Sequence, residues 1–108
     1  HDPEQIIHRI RRQFRGRQYR LTDHAEDEMV DEETGRIRLS EIEEALLNGS
    51  ILENYPNANR GPCCLVYGRT EAGRPLHVVC STAREVLFVI TVYQPTPPTW
   101  TTPTQRDY

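Results

Sequence analysis

The segment Val86–Tyr93 constrains the fold most strongly, because almost all of its residues are apolar and most are β-branched or aromatic. A strand that covers only one face of a sheet alternates apolar and polar residues, whereas a strand that is apolar throughout is covered on both faces. The segment therefore predicts a central strand. Ile90, at its middle, is predicted to lie in the core.

Three further strands are predicted upstream of this segment. They are Ile51–Tyr55, Cys63–Arg69 and Leu76–Cys80. Pro56 ends the first of them, and Gly73 supplies the positive φ that suits a tight turn between the second and the third. Because the connections between the later strands are short, the pattern is typical of an antiparallel meander.

The first half of the chain has helical periodicity instead. Apolar residues at helical spacing predict a helix over Pro3–Phe14. A second helix is predicted to begin at Thr22 or Asp23, and a third to cover about Ser40–Asn48, because each start has the spacing of a capping box. Tyr19–Leu21 is interpreted as a short link between the first two helices.

These patterns predict one α+β domain over residues 1–94, in which the N-terminal helices pack on an antiparallel sheet of three to four strands. A length of 108 residues fits a single domain. Residues 95–108 are rich in Pro and Thr and are predicted to form an irregular tail. Trp100 is expected to anchor that tail on the domain, because a large aromatic side chain gains from burial.

Charge is unevenly distributed along the chain. The formal net charge is -3, which argues against a strong nucleic-acid footprint, since nucleic-acid binders are often basic overall. All 13 basic residues are Arg, and a dense run of them extends from Arg9 to Arg20. This run is interpreted either as a solvated helix face or as a surface for RNA or an acidic partner. An acidic segment, Asp23–Glu33, follows it directly.

The three cysteines predict neither a disulfide framework nor a metal site. Cys63, Cys64 and Cys80 form an odd set with adjacent members, and no CxxC pair is present. We expect reduced, buried thiols, no cofactor and no metal. The polar start of the chain has no signal-peptide pattern, and no segment approaches the roughly 18–20 apolar residues of a membrane span. A cytoplasmic protein is therefore expected.

Four residues are the candidates for chemistry: His24, His77, Arg69 and Tyr93. The two histidines are candidates for proton transfer, because imidazole titrates near neutral pH. Arg69, together with Arg74, could clamp a phosphodiester, and the Tyr93 hydroxyl could bind it as well. Each candidate has a structural alternative. His24 could be a partly exposed side chain beside a helix cap, and His77 could be a hydrogen-bonded side chain in a strand. The turn arginines could be solvated, and Tyr93 could lie in the core with its hydroxyl in contact with water.

Five segments of the chain form a recognisable set. They are LTDHAEDEM, ALLNGSILENYP, RGPCCLVYGRT, GRPLHVVC and ITVYQPTPPTW, and they cover roughly Tyr19 to Trp100. In this order and spacing they resemble a bacterial family catalogued as domain of unknown function 4258. The motif positions of that family fall here on His24, Glu28, Tyr55, Pro56, Gly68, Arg69, His77, Thr91 and Tyr93. Many members carry Arg-Met where this chain has Glu28 and Met29, so a cation near His24 is missing.

The resemblance implies a RelE-like or barnase/colicin-like ribonuclease fold, with helices packed on a curved antiparallel sheet. It implies a toxin-like RNA-binding protein that acts as a metal-independent endoribonuclease of a bacterial toxin–antitoxin pair. The partners then expected are RNA and a small zinc-finger antitoxin protein. In this interpretation His24 and His77 transfer protons, Arg69 binds the phosphate and Tyr93 orients the scissile group. The alternative is a non-catalytic protein-binding module.

Overall fold

The computed structural model describes residues 3–59, 61–81, 85–96 and 100–106, and within them the side chains of residues 3, 100, 101 and 106 lie outside the description. The elements in chain order are α1 (Pro3–Arg15), β1 (Tyr19–Leu21), α2 (Asp23–Asp31), α3 (Leu39–Asn48), β2 (Ser50–Tyr55), β3 (Cys63–Arg69), β4 (Pro75–Ser81), β5 (Leu87–Tyr93), β6 (Trp100–Thr102) and β7 (Gln105–Arg106). No helix among the described residues is long and apolar enough to cross a membrane.

The main sheet has five strands in the order β1-β5-β4-β3-β2. The meander of β2 to β5 is antiparallel, as predicted. The predicted count of three to four strands and the purely antiparallel sheet are wrong, because Tyr19–Leu21 pairs in parallel with Leu87–Val89. This short strand has no local turn signal, and its partner lies far along the chain. The predicted RelE-like architecture stays a prediction.

The core lies on one face of the sheet, under α1, α2 and α3. Its fully buried members include Ile10, Ala25, Ile42, Leu46, Val66, Leu76, Val78, Val89 and Val92. Ile90 is only half-buried, so its predicted place in the core is wrong. Val79 pairs with Thr91 whereas Cys80 pairs with Val89, so a register shift leaves Ile90 as the extra residue of a bulge.

The three cysteines are buried and free, as predicted. Cys64 lies opposite Cys80 on β3 and β4. Burial raises the pKa of Cys64 to about 12 and holds the pKa of Cys80 well above its ordinary value. Both thiols therefore stay protonated and act as small apolar packing groups.

Helix α2 covers the edge of β5 beyond the point where β1 ends. Thr22 caps the helix by accepting from the Ala25 N–H, and its hydroxyl donates to the Ile90 carbonyl. Further along, the Glu28 carboxylate accepts from the Val92 N–H at 3.1 Å and the Glu32 carboxylate accepts from the Gln94 N–H at 2.9 Å. Four helical residues rise about 6 Å, close to the length of two strand residues, so the two spacings match.

The C-terminal segment is not irregular throughout. Strands β6 and β7 form a separate two-stranded antiparallel sheet. The prediction of an irregular tail is therefore wrong for residues 100–106, because Pro103 and Thr104 form a turn between two short strands. The predicted docking of the Trp100 side chain lies outside the described part of the structure.

A matched pair of truncations tests which residues carry the core. Leu76→Ala should lower the free energy of unfolding by about 2–5 kcal/mol, because Leu76 is fully buried under the helices. Ile90→Ala removes a similar side chain from the half-buried bulge and should cost clearly less. Urea denaturation measures both values. An equal or larger loss for Ile90→Ala would place the bulge residue in the core after all.

Glu28→Gln and Glu32→Gln should change stability in opposite directions at neutral pH. Burial raises the pKa of Glu28, so its carboxylate costs free energy in the folded chain, and Gln keeps an oxygen for the Val92 N–H. Burial also raises the pKa of Glu32, but the N–H groups of Thr34 and Gln94 outweigh this and lower it overall. Glu28→Gln should therefore stabilise and Glu32→Gln destabilise.

The pH dependence gives a second check on this pair. The contribution of Glu32 to the free energy of unfolding is fully present above its ordinary pKa of 4.5. It is lost as the pH falls through the lower pKa that Glu32 has in the folded chain. The contribution of Glu28 has the opposite pH dependence. It is fully present below pH 4.5 and is lost as the pH rises through the raised pKa that Glu28 has in the folded chain. Urea denaturation across this range should show a shallower acid loss for Glu32→Gln than for wild type. If Glu32→Gln and wild type lost stability equally steeply as the pH falls, the stabilising role of Glu32 would be contradicted.

Candidate functional site

Three aromatic side chains form a row on the face of the sheet opposite the helices. His77 pairs with Tyr67 on one side and with Tyr93 on the other. Their strand neighbours Val66, Val78 and Val92 fill the core, so the three rings point to the opposite face, away from the helices. We call this side of the sheet the open face. The His77 ring centroid lies 5.9 Å from that of Tyr67 and 5.2 Å from that of Tyr93, with edge-to-face geometry.

His77 is held by both of its ring nitrogens. Nδ1 lies 3.1 Å from the Tyr93 hydroxyl, and Nε2 lies 2.5 Å from the Pro103 carbonyl oxygen in the turn between β6 and β7. A carbonyl can only accept, so Nε2 carries a proton, and in the neutral ring Nδ1 accepts from the Tyr93 hydroxyl. The C-terminal hairpin thereby fixes the tautomer of a side chain that has no exposed surface.

Arg69 extends the row at the end of β3. Its Nε donates to the Tyr67 hydroxyl at 2.9 Å and its Nη1 donates to the Gly73 carbonyl at 3.1 Å, while the residue remains exposed. We call Arg69, Tyr67, His77 and Tyr93 the open-face row. It combines an exposed guanidinium, two phenol hydroxyls and one imidazole within four neighbouring positions of the sheet.

The position of Arg69 depends on a close approach between β3 and α3. A Cβ on Gly68 would lie 1.9 Å from the Ala45 carbonyl oxygen, so only Gly fits there. Asn48, at the end of α3, accepts from the Arg69 N–H at 3.1 Å and donates to its carbonyl at 2.6 Å. Helix packing therefore fixes the backbone that presents the guanidinium.

The structure brings together three of the four predicted site residues, namely His77, Arg69 and Tyr93. His24 is not among them. It lies on α2, which buries Ala25 in the core on the helical side of the sheet. Its side chain is 67% exposed, and its Nε2 lies 3.3 Å from the Glu28 carboxylate. A single site that uses both imidazoles therefore has no support in this geometry.

Arg74 has a structural role rather than a place in the predicted phosphate clamp. Its guanidinium donates to the carbonyls of Gly35 and Arg36 and to the side chains of Gln94 and Thr34, and it lies 3.3 Å from the Glu41 carboxylate, so its five N–H donors have five acceptors. It therefore ties the loop before α3 to the end of β5. An arginine with this many protein acceptors has no donors left over for a bidentate phosphate contact.

Two members of the site were missed at the sequence level. Tyr67 could have been found, because it alternates with the apolar Val66 in a predicted strand and lies opposite His77 in the meander. The Pro103 carbonyl could not, because it is a main-chain group brought to His77 from a segment predicted to be irregular.

The electrostatic surroundings of the row differ at its two ends. Beyond Tyr93 lies a groove of about 330 Å³ whose lining includes Glu28, Asp31, Glu32 and Glu33. Arg69 lies at the other end. A polyanion is therefore attracted to the Arg69 end and repelled beside Tyr93. Among the described residues no three His, Cys, Asp or Glu side chains are grouped to hold a metal ion.

The tautomer of His77 can be measured directly. Nitrogen-15 NMR should show Nε2 protonated and Nδ1 as an acceptor, because Nε2 faces the Pro103 carbonyl. Tyr93→Phe should shift the Nδ1 signal and leave the Nε2–H in place. The exposed His24 is the internal control, since its ring protons should exchange rapidly with water. A His77 protonated at Nδ1 in the neutral state would contradict the assignment.

No curated protein and no solved structure matches the chain. Residues 21–94 match the family described as Domain of unknown function (DUF4258). The matched segment begins at the end of β1 and ends just after β5, so it contains α2, α3, the four-strand meander and the whole open-face row. With more than half of its length matched, the chain belongs to the DUF4258 family.

Proposed function

We propose that the protein is a toxin-like RNA-binding protein that cleaves RNA without a metal ion at the open-face row. One observation carries the proposal: a Tyr93 hydroxyl, the His77 imidazole and the Pro103 carbonyl are joined in series on the same face as the Arg69 guanidinium. In this series the group that reaches solvent is Tyr93, since His77 is fully buried. The role proposed for His77 is therefore that of a relay.

The proposed reaction is attack of a ribose 2′-oxygen on the adjacent phosphorus. Tyr93 takes the 2′-hydroxyl proton while its own proton passes to Nδ1 of His77, and the Pro103 carbonyl stabilises the resulting imidazolium through Nε2–H. As the new bond forms, the bond from phosphorus to the 5′-oxygen breaks. That oxygen takes a proton from Tyr93, and His77 returns one to Tyr93. The products are a 2′,3′-cyclic phosphate and a 5′-hydroxyl.

Arg69 supplies the positive charge in this proposal. Its Nε and one Nη donate to protein acceptors, while the exposed edge of the guanidinium faces solvent. These contacts hold the guanidinium in place, and its remaining N–H donors can bind the non-bridging phosphate oxygens as negative charge builds up on those oxygens. The acidic groove beside Tyr93 favours entry of the RNA backbone from the Arg69 end. A small zinc-finger antitoxin is the proposed protein partner that would hold such an activity in check.

A non-catalytic protein-binding module is the second candidate. The burial of His77 favours it, because a histidine with no exposed surface and a partner on each ring nitrogen is also how a structural histidine is held. In that case the open-face row braces the sheet against the C-terminal hairpin. The two candidates differ in whether removing a hydroxyl alone abolishes a reaction.

Tyr93→Phe provides the test, because it removes the hydroxyl and keeps the ring. Purified protein should cut single-stranded RNA in EDTA, and Tyr93→Phe should slow the cut by about 10²–10⁴-fold. Arg69→Gln should also slow it strongly. His24→Gln is the matched control and should cut like wild type, since among the described residues the His24 side chain contacts Glu28 on α2 and no member of the row. Thermal unfolding of each variant excludes a loss of fold.

The same variants can be expressed in a bacterium, with growth and RNA integrity followed. Wild type should arrest growth and degrade RNA, and Tyr93→Phe should do neither. Normal growth, intact RNA and absence of cleavage by the purified wild type would count against the nuclease. The non-catalytic protein-binding module would then be the preferred function. Cleavage that Tyr93→Phe leaves unchanged would remove the open-face row from the mechanism.

A further inference from the structure

A groove of about 700 Å³ lies on the helical side of the molecule, between the end of α1 and the start of α3. Its lining residues are Phe14, Arg15, Arg17, Tyr19, Leu39, Ser40 and Glu43. The open-face row lies on the other side of the sheet. An inference about this groove therefore does not rest on the proposed RNA cleavage.

The floor of the groove is apolar. Phe14 and Tyr19 stack with their ring centroids 4.2 Å apart and their planes at 15°. Leu39 is 40% exposed, although the apolar residues that follow it in α3, Ile42, Ala45 and Leu46, are all fully buried. Leu39 therefore leaves apolar surface open to the groove that the packing of α3 does not cover.

Two arginines on the rim of the groove are available for a ligand. Within the described part of the chain, Arg15 and Arg17 are exposed and neither guanidinium makes a hydrogen bond or an ion pair. By contrast, Arg11 on the same helix donates to the carbonyls of Leu46 and Gly49 and so fastens α1 to the end of α3. The run of arginines thus includes Arg11, which holds the fold, and Arg15 and Arg17, whose guanidinium groups face solvent.

The backbone at Arg17 ends α1 in the left-handed conformation of a Schellman motif, in which the Gln18 N–H donates to the Gln13 carbonyl at 2.8 Å and the Arg17 N–H donates to the Phe14 carbonyl at 3.1 Å. Its φ of 59° makes it the one non-Gly residue with positive φ among those described. Gly adopts this conformation without strain, whereas a residue with a Cβ pays for it. The chain nevertheless carries a long cation here. This capping turn places the Arg17 side chain at the rim of the groove.

We propose that this groove is a docking site for an acidic segment of another protein that inserts an apolar side chain against Leu39. Carboxylates on the segment would pair with the two free guanidinium groups, which bind them bidentately. Extended or helical, such a segment combines the charge and the apolar anchor that the groove complements.

An RNA strand fits the same groove less well. Phe14 is only 5% exposed and is stacked on one face of Tyr19, so the groove does not offer the series of open aromatic rings on which successive bases stack. Leu39 provides neither stacking nor a hydrogen bond. Glu43 on the rim repels any anion, which disfavours the continuous phosphate backbone of RNA, whereas a peptide can place a polar or basic residue at that point and its carboxylates elsewhere.

The test uses a displayed library of random 12-residue peptides, selected on the full chain. Enriched sequences should carry Asp or Glu beside a Leu, Ile, Met or Phe. The affinity of one enriched peptide, measured by fluorescence anisotropy, should fall at least about tenfold with Arg17→Gly and with Leu39→Ser. It should also fall with rising salt. Arg20→Gln is the matched control, because Arg20 is exposed on β1 and lies outside the groove.

Arg17→Gly also separates docking from folding. Gly relieves the positive φ, so this variant should unfold at the same or a higher temperature than wild type while it loses the peptide. Enrichment without acidic residues, or affinity unchanged by both groove variants, would overturn the proposal. Binding of a 12-nucleotide RNA that Arg17→Gly abolishes would assign the groove to nucleic acid and equally overturn it.

Discussion

The register of β3, β4 and β5 is the constraint on which both faces of the protein depend. The pairing that aligns Val66, Val78 and Val92 under the helices also aligns Tyr67, His77 and Tyr93 on the other face. A slip of one residue would exchange the two rows and bury a set of hydroxyls under α3. The apolar row fixes the register through its burial, and the polar row gains its geometry as a consequence.

The edges of this sheet are managed by side chains rather than by further strands. β1 is only three residues long, and beyond it the N–H groups of β5 are taken by Glu28 and Glu32. By charge alone, a run of acids near the end of a helix is unfavourable because it opposes the helix dipole. Here the same carboxylates accept hydrogen bonds from main-chain groups that would otherwise be left as an open strand edge. These carboxylates stabilise the structure through hydrogen bonds whose geometry cannot be read from the pattern of charges in the sequence.

Sequence patterns predicted those parts of the fold that are set by neighbours along the chain. The four-strand meander, the helices and the face of His77 follow from periodicity and short turns. β1 was missed because three residues give no periodicity and the pairing of Tyr19 with Leu87 is non-local. The bulge at Ile90 was missed because it depends on how β4 and β5 align. Whether His24 joins His77 in one site could not be predicted, since periodicity gives the face of each residue but not the distance between two elements.

The distribution of arginines now has a physical interpretation that composition alone could not provide. Arg11 and Arg74 hold elements together through main-chain and carboxylate acceptors, so their charge is used within the fold. Arg69 is presented on the open face, and Arg15 and Arg17 are presented on the helical side. Because a layer of core separates these two sides, a ligand on one does not compete sterically with a ligand on the other. A net charge of -3 therefore does not exclude polyanion binding, because seven of the sixteen acidic residues lie on and just beyond α2, whereas Arg69 is presented at the far end of the open-face row.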